Sequence, residues 1–372
     1  MSDITLTAGI RQNLLSLQQT SSDLTTTQEA LATGKSVNSA ADNPSAYFTS
    51  QNLTDTANSL SSLLDQIGQG QQTINAATDG LTGLSSLLQQ ALATVQQAQQ
   101  ASPTTAASVT AATAISGATN AATSLVIDVG TSTYTVAITA SESISAIEGQ
   151  INTGTSGSVT ATDDGSGHLI LTAASASNSL QVGSGGLATV AGLSTTAVYG
   201  QSSTRSTLQT NYNGLLSQIN QLAGDATYNG VNLLTGDNLT IEFNPSGSSA
   251  LTINGVNFTA TGLSLSSVSG TAGGSFQNDG TLTSTIAALN DAIGQVQSQT
   301  ETFGTNSGVI GTRQTFTTNL INTLQTGADN LVVADQNEES ADLLTEQTQQ
   351  QLEISALSIA NQANQSVLKL FG

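Results

Sequence analysis

The residues of this sequence that could carry chemistry are few and far apart. His168 is the only histidine, and it follows an Asp-Asp-Gly-Ser-Gly run at residues 163–167. Acid–base catalysis needs a histidine held beside a carboxylate and a nucleophile, and we find no such set around His168. The run also lacks the alternating ligands and the final glutamate of a calcium-binding loop. We therefore interpret His168 as a surface residue at the end of a β-turn.

Two further groups of residues raise the question of a site. The Gly-Ser-Gly-Gly run at residues 183–186 lacks the spacing of a dinucleotide fingerprint and a clear helical pattern after it, which favours a loop. Five acidic residues share the last predicted helix: Glu338, Glu339, Asp342, Glu346 and Glu353. Against a metal site, we favour a solvated helix face or contacts with Arg11 and Lys35. We predict no catalytic, cofactor-binding or metal site, and hence no enzyme.

The charge balance argues against two classes of partner. The chain has 25 acidic and 5 basic residues, a net charge of −20. Nucleic-acid binding needs clustered lysine and arginine, and an anionic membrane surface would repel such a chain. We therefore predict no nucleic-acid partner and no membrane partner.

The chain also lacks the usual signs of membrane insertion or secretion. No apolar stretch approaches the roughly 18 residues that a membrane-spanning helix needs. The N-terminus has neither the basic segment nor the apolar run of a cleaved secretory signal. There is no cysteine, and the composition is rich in Ser, Thr, Gln and Asn. The composition is typical of an extracellular protein, so the missing export signal needs an explanation.

Both ends of the chain carry a helical repeat. These predicted helices must position any residues that contact a partner. Near the N-terminus an apolar residue returns every seven positions, with one addition: Ile10, Leu14, Leu17, Leu24 and Leu31. This spacing is typical of a coiled-coil seam. The repeat ends before Gly34, a residue type that commonly terminates helices, and Asn43-Pro44 predicts a connecting loop.

A longer helix is predicted between residues 60 and 98. Alternating steps of three and four residues reach only apolar or small residues: Leu60, Leu63, Ile67, Gly70, Ile74, Ala77, Leu81, Leu84, Leu88, Ala91, Val95 and Ala98. Such a helix is about 57 Å long at the standard rise per residue. That length exceeds what an ordinary globule requires, so we predict rod-like packing.

The second half of the chain repeats this period in three segments, at residues 208–222, 282–331 and 352–370. Polar residues such as Ser307 and Thr317 interrupt the second segment, which predicts looser packing or a bend there. A polar break at residues 334–337 separates the second segment from the last. That last segment carries Leu352, Ala356, Ile359, Ala363, Val367 and Leu370.

The middle of the chain changes from a period of 3.6 to a period of 2. Alternating apolar residues on either side of residues 130–132 predict one hairpin, and two short runs on either side of residues 163–167 predict a second. A short helix over residues 144–151 lies between them. A further β segment is predicted at residues 239–258, with a turn near Pro245.

The predicted fold is mainly α and discontinuous. A long antiparallel coiled coil or helical rod is built from both termini, with a small inserted α+β domain and a β-hairpin region. We divide the chain into residues 1–43 and 335–372 for an inner coiled coil, 44–123 and 202–334 for a helical rod, and 124–201 for the insert; the rod's second half contains a β segment at 237–265.

Three separated motifs in this sequence resemble those of the bacterial flagellins, the subunits of the flagellar filament. The C-terminal stretch at residues 339–372 contains Ala-Leu-Ser-Ile-Ala-Asn-Gln and ends in Val-Leu-Lys-Leu-Phe. The Leu-Ala-Thr-Gly-Lys stretch opens the second motif, at residues 31–48. The third is Asp-Ala-Thr-Tyr-Asn-Gly-Val-Asn-Leu-Leu at residues 225–234, and the insert at about 125–182 is similar to a repeat module of some flagellins. The ending is more similar to alphaproteobacterial than to enterobacterial flagellins.

The resemblance implies a structural protein for swimming motility that polymerises with copies of itself. It implies export, unfolded and without a cleaved signal, through the flagellar type III channel to an extracellular filament. Implied partners are an export chaperone, the filament cap and the hook-associated proteins. We expect both termini to order only when a neighbouring copy covers them, because one pair of helices buries little surface.

The expected assembly interface lies on the two terminal helices. Its predicted residues are Ile10, Leu14, Leu17, Leu24, Leu31, Leu352, Ala356, Leu357, Ile359, Ala363, Val367 and Leu370. Their surface is expected to join copies head to tail, which gives an open helix and not a ring.

Several alternatives stay open. A hook–filament junction protein shares the terminal helices and is the main alternative function. An adhesive role of the insert, or O-linked sugars on it, is neither supported nor excluded. A zinc peptidase insert would need two histidines, and the chain has one. Many flagellins are recognised by an animal innate immune receptor through a basic patch, but the matching residues 87–93 carry no arginine, so we expect weak or no recognition.

Overall fold

The computed structural model describes residues 8–115, 122–270 and 273–371, without the side chains of residue 364 and residues 367–371. Most of the described residues are helical, so the fold is mainly α, as predicted. The chain forms two units. The first comprises Met1–Gly68, Ile241–Leu251 and Ile310–Gly372, and the second comprises Gln69–Thr240 and Thr252–Val309.

Seven helices and eight strands make up the described part of the chain. The helices are α1 (Ala8–Thr33), α2 (Pro44–Gln100), α3 (Ile144–Gly154), α4 (Gly186–Ala191), α5 (Ser203–Asp225), α6 (Asp279–Val332) and α7 (Gln336–Phe371). The strands are β1 (Ser108–Thr110), β2 (Thr123–Val129), β3 (Ser132–Ile138), β4 (Val159–Asp163), β5 (Leu169–Ala173), β6 (Leu180–Val182), β7 (Leu239–Glu242) and β8 (Ala250–Ile253).

The Asn43-Pro44 pair starts α2 as well as separating it from α1. Pro44 occupies the first helical position, where its missing N–H would have no partner in any case. The Asn43 side-chain oxygen accepts a hydrogen bond of 3.1 Å from the Ala46 N–H and caps the helix. The predicted loop therefore spans residues 34–43, and α2 begins well before the predicted apolar repeat.

All twelve positions predicted for the apolar face of α2 are buried, from Leu60 to Ala98. In the second unit this helix approaches its neighbours closely at two glycines. A Cβ atom added to Gly80 would lie 2.7 Å from both Ala226 Cβ and Leu234 Cδ1, and one added to Gly83 would lie 2.7 Å from Leu222 Cδ2. The third flagellin-like motif thus packs directly against α2.

Asn232 closes the end of α5 within this motif. Its side-chain nitrogen donates to the carbonyl oxygens of Ala223 and Gly224, at 2.8 and 2.9 Å, and its side-chain oxygen accepts from the Leu234 N–H at 2.8 Å. These bonds satisfy carbonyl groups that the helix end leaves without partners. Leu233 and Leu234 are fully buried as a result of this turn.

α6 runs unbroken over 54 residues. Its polar seam positions are accommodated without a break: Ser307 Oγ accepts a hydrogen bond of 2.8 Å from Gln71 Nε2 of α2, and Thr317 is buried. A hydrogen-bonded polar pair can occupy a helix–helix contact without the penalty of an unpaired group. The polar residues at these seam positions therefore do not require the bend or the looser packing that the sequence predicted.

The insert contains two three-stranded antiparallel sheets, with strand orders β1-β5-β4 and β3-β2-β6. Both predicted hairpins are present, as β2–β3 and β4–β5, and the predicted short helix is α3. The two sheets, α3 and α4 share one apolar core. Three elements were not predicted: β1, which joins this core from before residue 124, β6, and α4, which follows the Gly-Ser-Gly-Gly run.

Arg205 joins three segments of the second unit beneath the surface. Its side chain is buried, and its guanidinium donates to the carbonyl oxygens of Ala101 at 2.6 Å, Phe276 at 3.3 Å and Gln277 at 3.2 Å. It also forms an ion pair of 2.7 Å with the exposed Asp279. The planar guanidinium suits several acceptors at once, so Arg205 holds the end of α2, the start of α5 and the start of α6 together.

Candidate functional site: the paired terminal helices

α1 and α7 pair in antiparallel orientation, as the two terminal repeats predicted. Ser16 and Thr20 of α1 contact Glu353 of α7, while Thr27 contacts Glu346. The position on α7 therefore falls as the position on α1 rises. Both helices belong to the first unit, and they pair within a single chain.

The side of α1 that faces α7 alternates apolar and polar residues. Its apolar members are the predicted Ile10, which is buried, and the half-buried Leu17, Leu24 and Leu31. Thr20 and Thr27 stand between them and are also buried, at 4% and 8% exposure. Leu14, the fifth predicted residue, lies away from this seam and is 38% exposed.

The seam of α7 is more polar than the sequence pattern suggested. The half-buried residues follow steps of four and three: Glu339, Leu343, Glu346, Gln350, Glu353, Leu357 and Ala360. Leu357 is the one predicted residue among them. Leu352 and Ile359 are 66% and 67% exposed, and Ala356 and Ala363 are exposed too. The side chains of Val367 and Leu370 lie outside the described part of the structure.

Two carboxylates of α7 accept hydrogen bonds from hydroxyl groups of α1. Glu353 Oε1 accepts from Ser16 Oγ at 2.7 Å and from Thr20 Oγ1 at 3.1 Å, and Glu346 Oε1 accepts from Thr27 Oγ1 at 3.3 Å. Donation from Ser16 stabilises the charged form and lowers the pKa of Glu353, with smaller contributions from Thr20 and Gln349 against partial desolvation. These bonds connect the two helices at fixed positions.

The pairing of α1 with α7 leaves large apolar side chains in water. Of the described residues, those on these two helices are Leu14, Leu15, Leu344, Leu352, Ile354 and Ile359, with exposures between 38% and 67%. Leu352 and Ile359 lie roughly 140° around α7 from its seam at 3.6 residues per turn. Large apolar side chains left exposed in this way indicate an interaction surface. The terminal helices thus present an inner seam of mixed apolar and polar residues and an outer apolar face.

The loop after α1 is attached to the junction between α6 and α7. The Ser36 N–H donates to the Val332 carbonyl oxygen at 2.8 Å, and the Ala334 N–H donates to the Gly34 carbonyl oxygen at 3.0 Å. Gly34 has a φ of +71°, a left-handed conformation that favours glycine. The motif at residues 31–48 therefore brings the beginnings of α2 and α7 to one place within the first unit.

The chemically suggestive residues of the insert form a turn. His168 Nδ1 lies 2.8 Å from Asp164 Oδ2, so His168 does have an acidic partner, which the sequence alone did not indicate. The same carboxylate accepts from the Ser166 and His168 N–H groups, which lower the pKa of Asp164. Glu148 lies nearby, and burial together with the charge of Asp163 raises its pKa. These bonds explain Asp164 as a turn-forming residue.

Neither a metal centre nor a membrane span is found in the described ranges. No group of three or more His, Cys, Asp or Glu residues there is placed to hold a metal ion. No helix within those ranges is long and apolar enough to cross a membrane.

Both ends of the chain match protein families of known description. Residues 7–130 match the bacterial flagellin N-terminal helical region, and residues 286–371 match the bacterial flagellin C-terminal helical region. Together these segments cover more than half of the chain.

Curated relatives agree with these matches. The chain is 36% identical to flagellin FljM of Caulobacter vibrioides over 166 residues, which cover 44% of this chain and 59% of FljM. It is 30% identical to a flagellin of Brucella melitensis over 172 residues, or 44% of this chain and 61% of the relative. These matches span less than two thirds of either relative.

A third relative aligns from end to end. Flagellin FljO of Caulobacter vibrioides is 25% identical over 373 residues, which cover 100% of this chain and 99% of FljO. The antiparallel terminal helices, the three motifs and the two family matches lead to one conclusion: the chain belongs to the bacterial flagellin family.

Proposed function

We propose that this chain is a structural subunit that polymerises with copies of itself into the helical filament of the bacterial flagellum, for swimming motility. The observation that carries the proposal is the outer apolar face of α1 and α7. Leu352 and Ile359 are two-thirds exposed on a helix whose other side is already paired. Within the described ranges no other part of the chain covers them, which leaves them available for contact with a second copy.

The distribution of charge on α7 supports a contact between copies through this face, although the net charge of the chain opposes association. Each chain carries a net charge of −20, so stacked copies repel one another. A contact that succeeds against this repulsion must bury apolar surface and keep carboxylates away from each other. The outer face meets that requirement, because Glu346 and Glu353 are turned toward α1 and bonded there.

The assembly interface of this proposal includes all twelve predicted residues, in two roles. The seam residues Ile10, Leu17, Leu24, Leu31 and Leu357 hold the two helices together. Leu14, Leu352, Ala356, Ile359 and Ala363 would contact neighbouring copies, and Val367 and Leu370 continue α7. A head-to-tail contact of this kind extends without closing and generates a filament.

The remaining partners follow from the same proposal. The chain would be exported without a cleaved signal through the type III channel, escorted by an export chaperone, and would meet the hook-associated proteins and the filament cap. It would act as a structural protein and not as an enzyme. Recognition by the animal innate immune receptor would be weak, because none of the exposed residues of the matching helical segment is basic; these are Gln89, Gln90 and Ala93.

A pair of matched variants tests the assembly surface. Ile359→Asp places a charge on the outer face of α7, and Val190→Asp places the same charge on the insert, at a residue of similar exposure, 60% against 67%. Purified full-length chains are induced to polymerise with salt and examined by sedimentation and electron microscopy. We expect long filaments from the parent and from Val190→Asp, and none from Ile359→Asp.

Two other results would decide against the proposal. Normal filaments from Ile359→Asp would show that the outer face of α7 does not carry assembly. Parent chains that form only short rings, or that occur in about a dozen copies per sheared appendage, would indicate a hook–filament junction protein. Leu357→Asp should also abolish polymerisation, while circular dichroism still reports a folded insert.

A further inference from the structure

One strand edge of the insert is open. β3 lies at the edge of the sheet β3-β2-β6. Val129 pairs with Ser132 across a two-residue turn, which makes that pair a hydrogen-bonded one, and such pairs alternate along an antiparallel ladder. Thr133, Thr135 and Ala137 therefore direct their N–H and C=O groups away from β2. In the described ranges these groups have no hydrogen-bond partner.

Two of the other edges of the insert are closed by specific bonds. On β4, the Asn152 side chain donates to the Ala161 carbonyl oxygen at 3.2 Å and accepts from its N–H at 2.7 Å. On β6, Leu180 exchanges two backbone bonds of 2.8 Å with Val198. A third edge belongs to β1, which has only three residues. Proteins protect the edges of their sheets because an unpaired edge strand recruits further strands. Among the described edge strands of the insert, the seven-residue β3 has no such protection.

The space beside β3 can accept another strand. A shallow groove of about 610 Å³ runs between β3 and α3. The α3 side is formed by small residues, including Ala146 and Gly149, and a Cβ atom added to Gly149 would have no neighbour within 4 Å. One atom in the groove wall is buried without a partner, Gln150 Oε1. Strand addition at an exposed sheet edge is a common mode of recognition.

The composition of this edge suits a second copy of the same chain. Residues 129–141 contain no charged side chain, although the chain carries a net charge of −20. The side chains beside the open edge, Thr133, Thr135 and Ala137, are exposed, small and uncharged. In an antiparallel pair centred on Thr135, threonine faces threonine or alanine, and no like charges oppose each other.

We infer that β3 pairs antiparallel with β3 of a second copy of this chain, which joins two inserts into one six-stranded sheet. The contact is two-fold symmetric, since each copy contributes the same residues. It goes beyond the proposed function: a two-fold contact reverses direction, so it cannot join neighbours that point the same way in one filament. It joins free subunits, or subunits of two filaments that lie side by side.

Because the chain has no cysteine, single cysteines report this contact cleanly. Thr135→Cys places a thiol at the centre of the pair, where opposed Cα atoms are about 5.5 Å apart and can form a disulfide. Thr160→Cys, at an exposed position of the closed β4 edge, is the matched control. Full-length chains are oxidised mildly under non-polymerising conditions, and dimers are measured by non-reducing gel electrophoresis. We expect dimers from Thr135→Cys at least about tenfold in excess of those from Thr160→Cys.

A lysine at the same positions provides a second test that needs no disulfide. Thr135→Lys opposes two like charges at the centre of the pair, whereas Thr160→Lys adds the same charge elsewhere. We expect Thr135→Lys filaments to lose their side-by-side association by light scattering, with Thr160→Lys unchanged. Equal cross-linking of the Thr135→Cys and Thr160→Cys chains would overturn the inference, and so would unchanged association of Thr135→Lys. Failure of the parent chain to form filaments would instead count against the proposed function.

Discussion

Ser16 and Glu353 are 337 positions apart in the chain, and their side chains are joined by a hydrogen bond of 2.7 Å. Thr20 bonds to the same carboxylate at 3.1 Å, and Thr27 and Glu346 repeat that second bond one heptad further along both helices, at 3.3 Å. These hydroxyl–carboxylate bonds restrict the register, because a shift of α1 along α7 by three or four residues would leave the carboxylates facing apolar residues such as Leu17 or Leu24. The polar seam therefore specifies how the two ends align.

The pairing of α1 with α7 should weaken in acid. A carboxylate whose pKa is lowered in the folded state stabilises it above its ordinary pKa and ceases to do so as the pH falls through the lowered value. For Glu353 the ordinary value is 4.5. We expect the helix content of the termini to be constant from neutral pH down to that value and to decrease below it, as measured by circular dichroism.

Glu353→Gln should flatten that acid dependence, because the amide oxygen still accepts from Ser16 but does not titrate. The matched control is Glu338→Gln, at an exposed position of the same helix. An unchanged acid transition in Glu353→Gln, or an equal change in both variants, would show that the seam carboxylate is not responsible.

Two glycine substitutions should change stability in opposite directions. In Gly80→Ala the new methyl group would lie 2.7 Å from Ala226 and Leu234, which forces a shift in a packed contact and should destabilise the second unit by about 1–3 kcal/mol. Gly294 on α6 has no neighbour within 4 Å of an added Cβ atom, so Gly294→Ala should stabilise the helix by about 0.5–1 kcal/mol. Urea unfolding measures both, and equal effects would contradict the close approach at Gly80.

Arg205 should be more important for stability than its ion pair suggests. Arg205→Met leaves the carbonyl oxygens of Ala101, Phe276 and Gln277 without their donor in a buried place, and we expect a loss of about 3 kcal/mol or more in the free energy of unfolding. Asp279→Asn removes only an exposed partner and should cost less than about 1 kcal/mol. Similar losses in thermal or urea unfolding would assign the effect to the ion pair.

The sequence predicted the parts of this fold that an apolar period describes. Every predicted position on α2 is buried, because each one is apolar or small and the helix is covered along its whole face. On α7 the apolar residues Leu352 and Ile359 point to water, and the seam uses glutamates that no hydrophobic pattern can select. The hydrophobic pattern therefore predicted residues on the outer face of α7. It did not predict the residues of the inner face, which contacts α1.

Three other features of the fold could not be predicted from any sequence pattern: strand β1, the buried Arg205 and the contact of Asn152 with β4. β1 has three residues and owes its existence to β5, with which Val109 pairs at Leu171. Arg205 is one basic residue in a polar stretch, and its buried acceptors come from residues 101 and 276–277. Asn152 closes the β4 edge from a helix that looks ordinary in sequence. Each depends on contacts between distant parts of the chain.

Hydrogen exchange of the same chain before and after polymerisation tests the assembly surface most directly. Peptides from α1 and α7 are compared with a peptide from β5, the central strand of its sheet, as the internal reference. If neighbouring copies cover the terminal helices, exchange over residues 8–33 and 336–366 should slow by about tenfold or more on assembly, while β5 is unchanged. Equal exchange of the terminal helices in free and assembled chains would contradict the account.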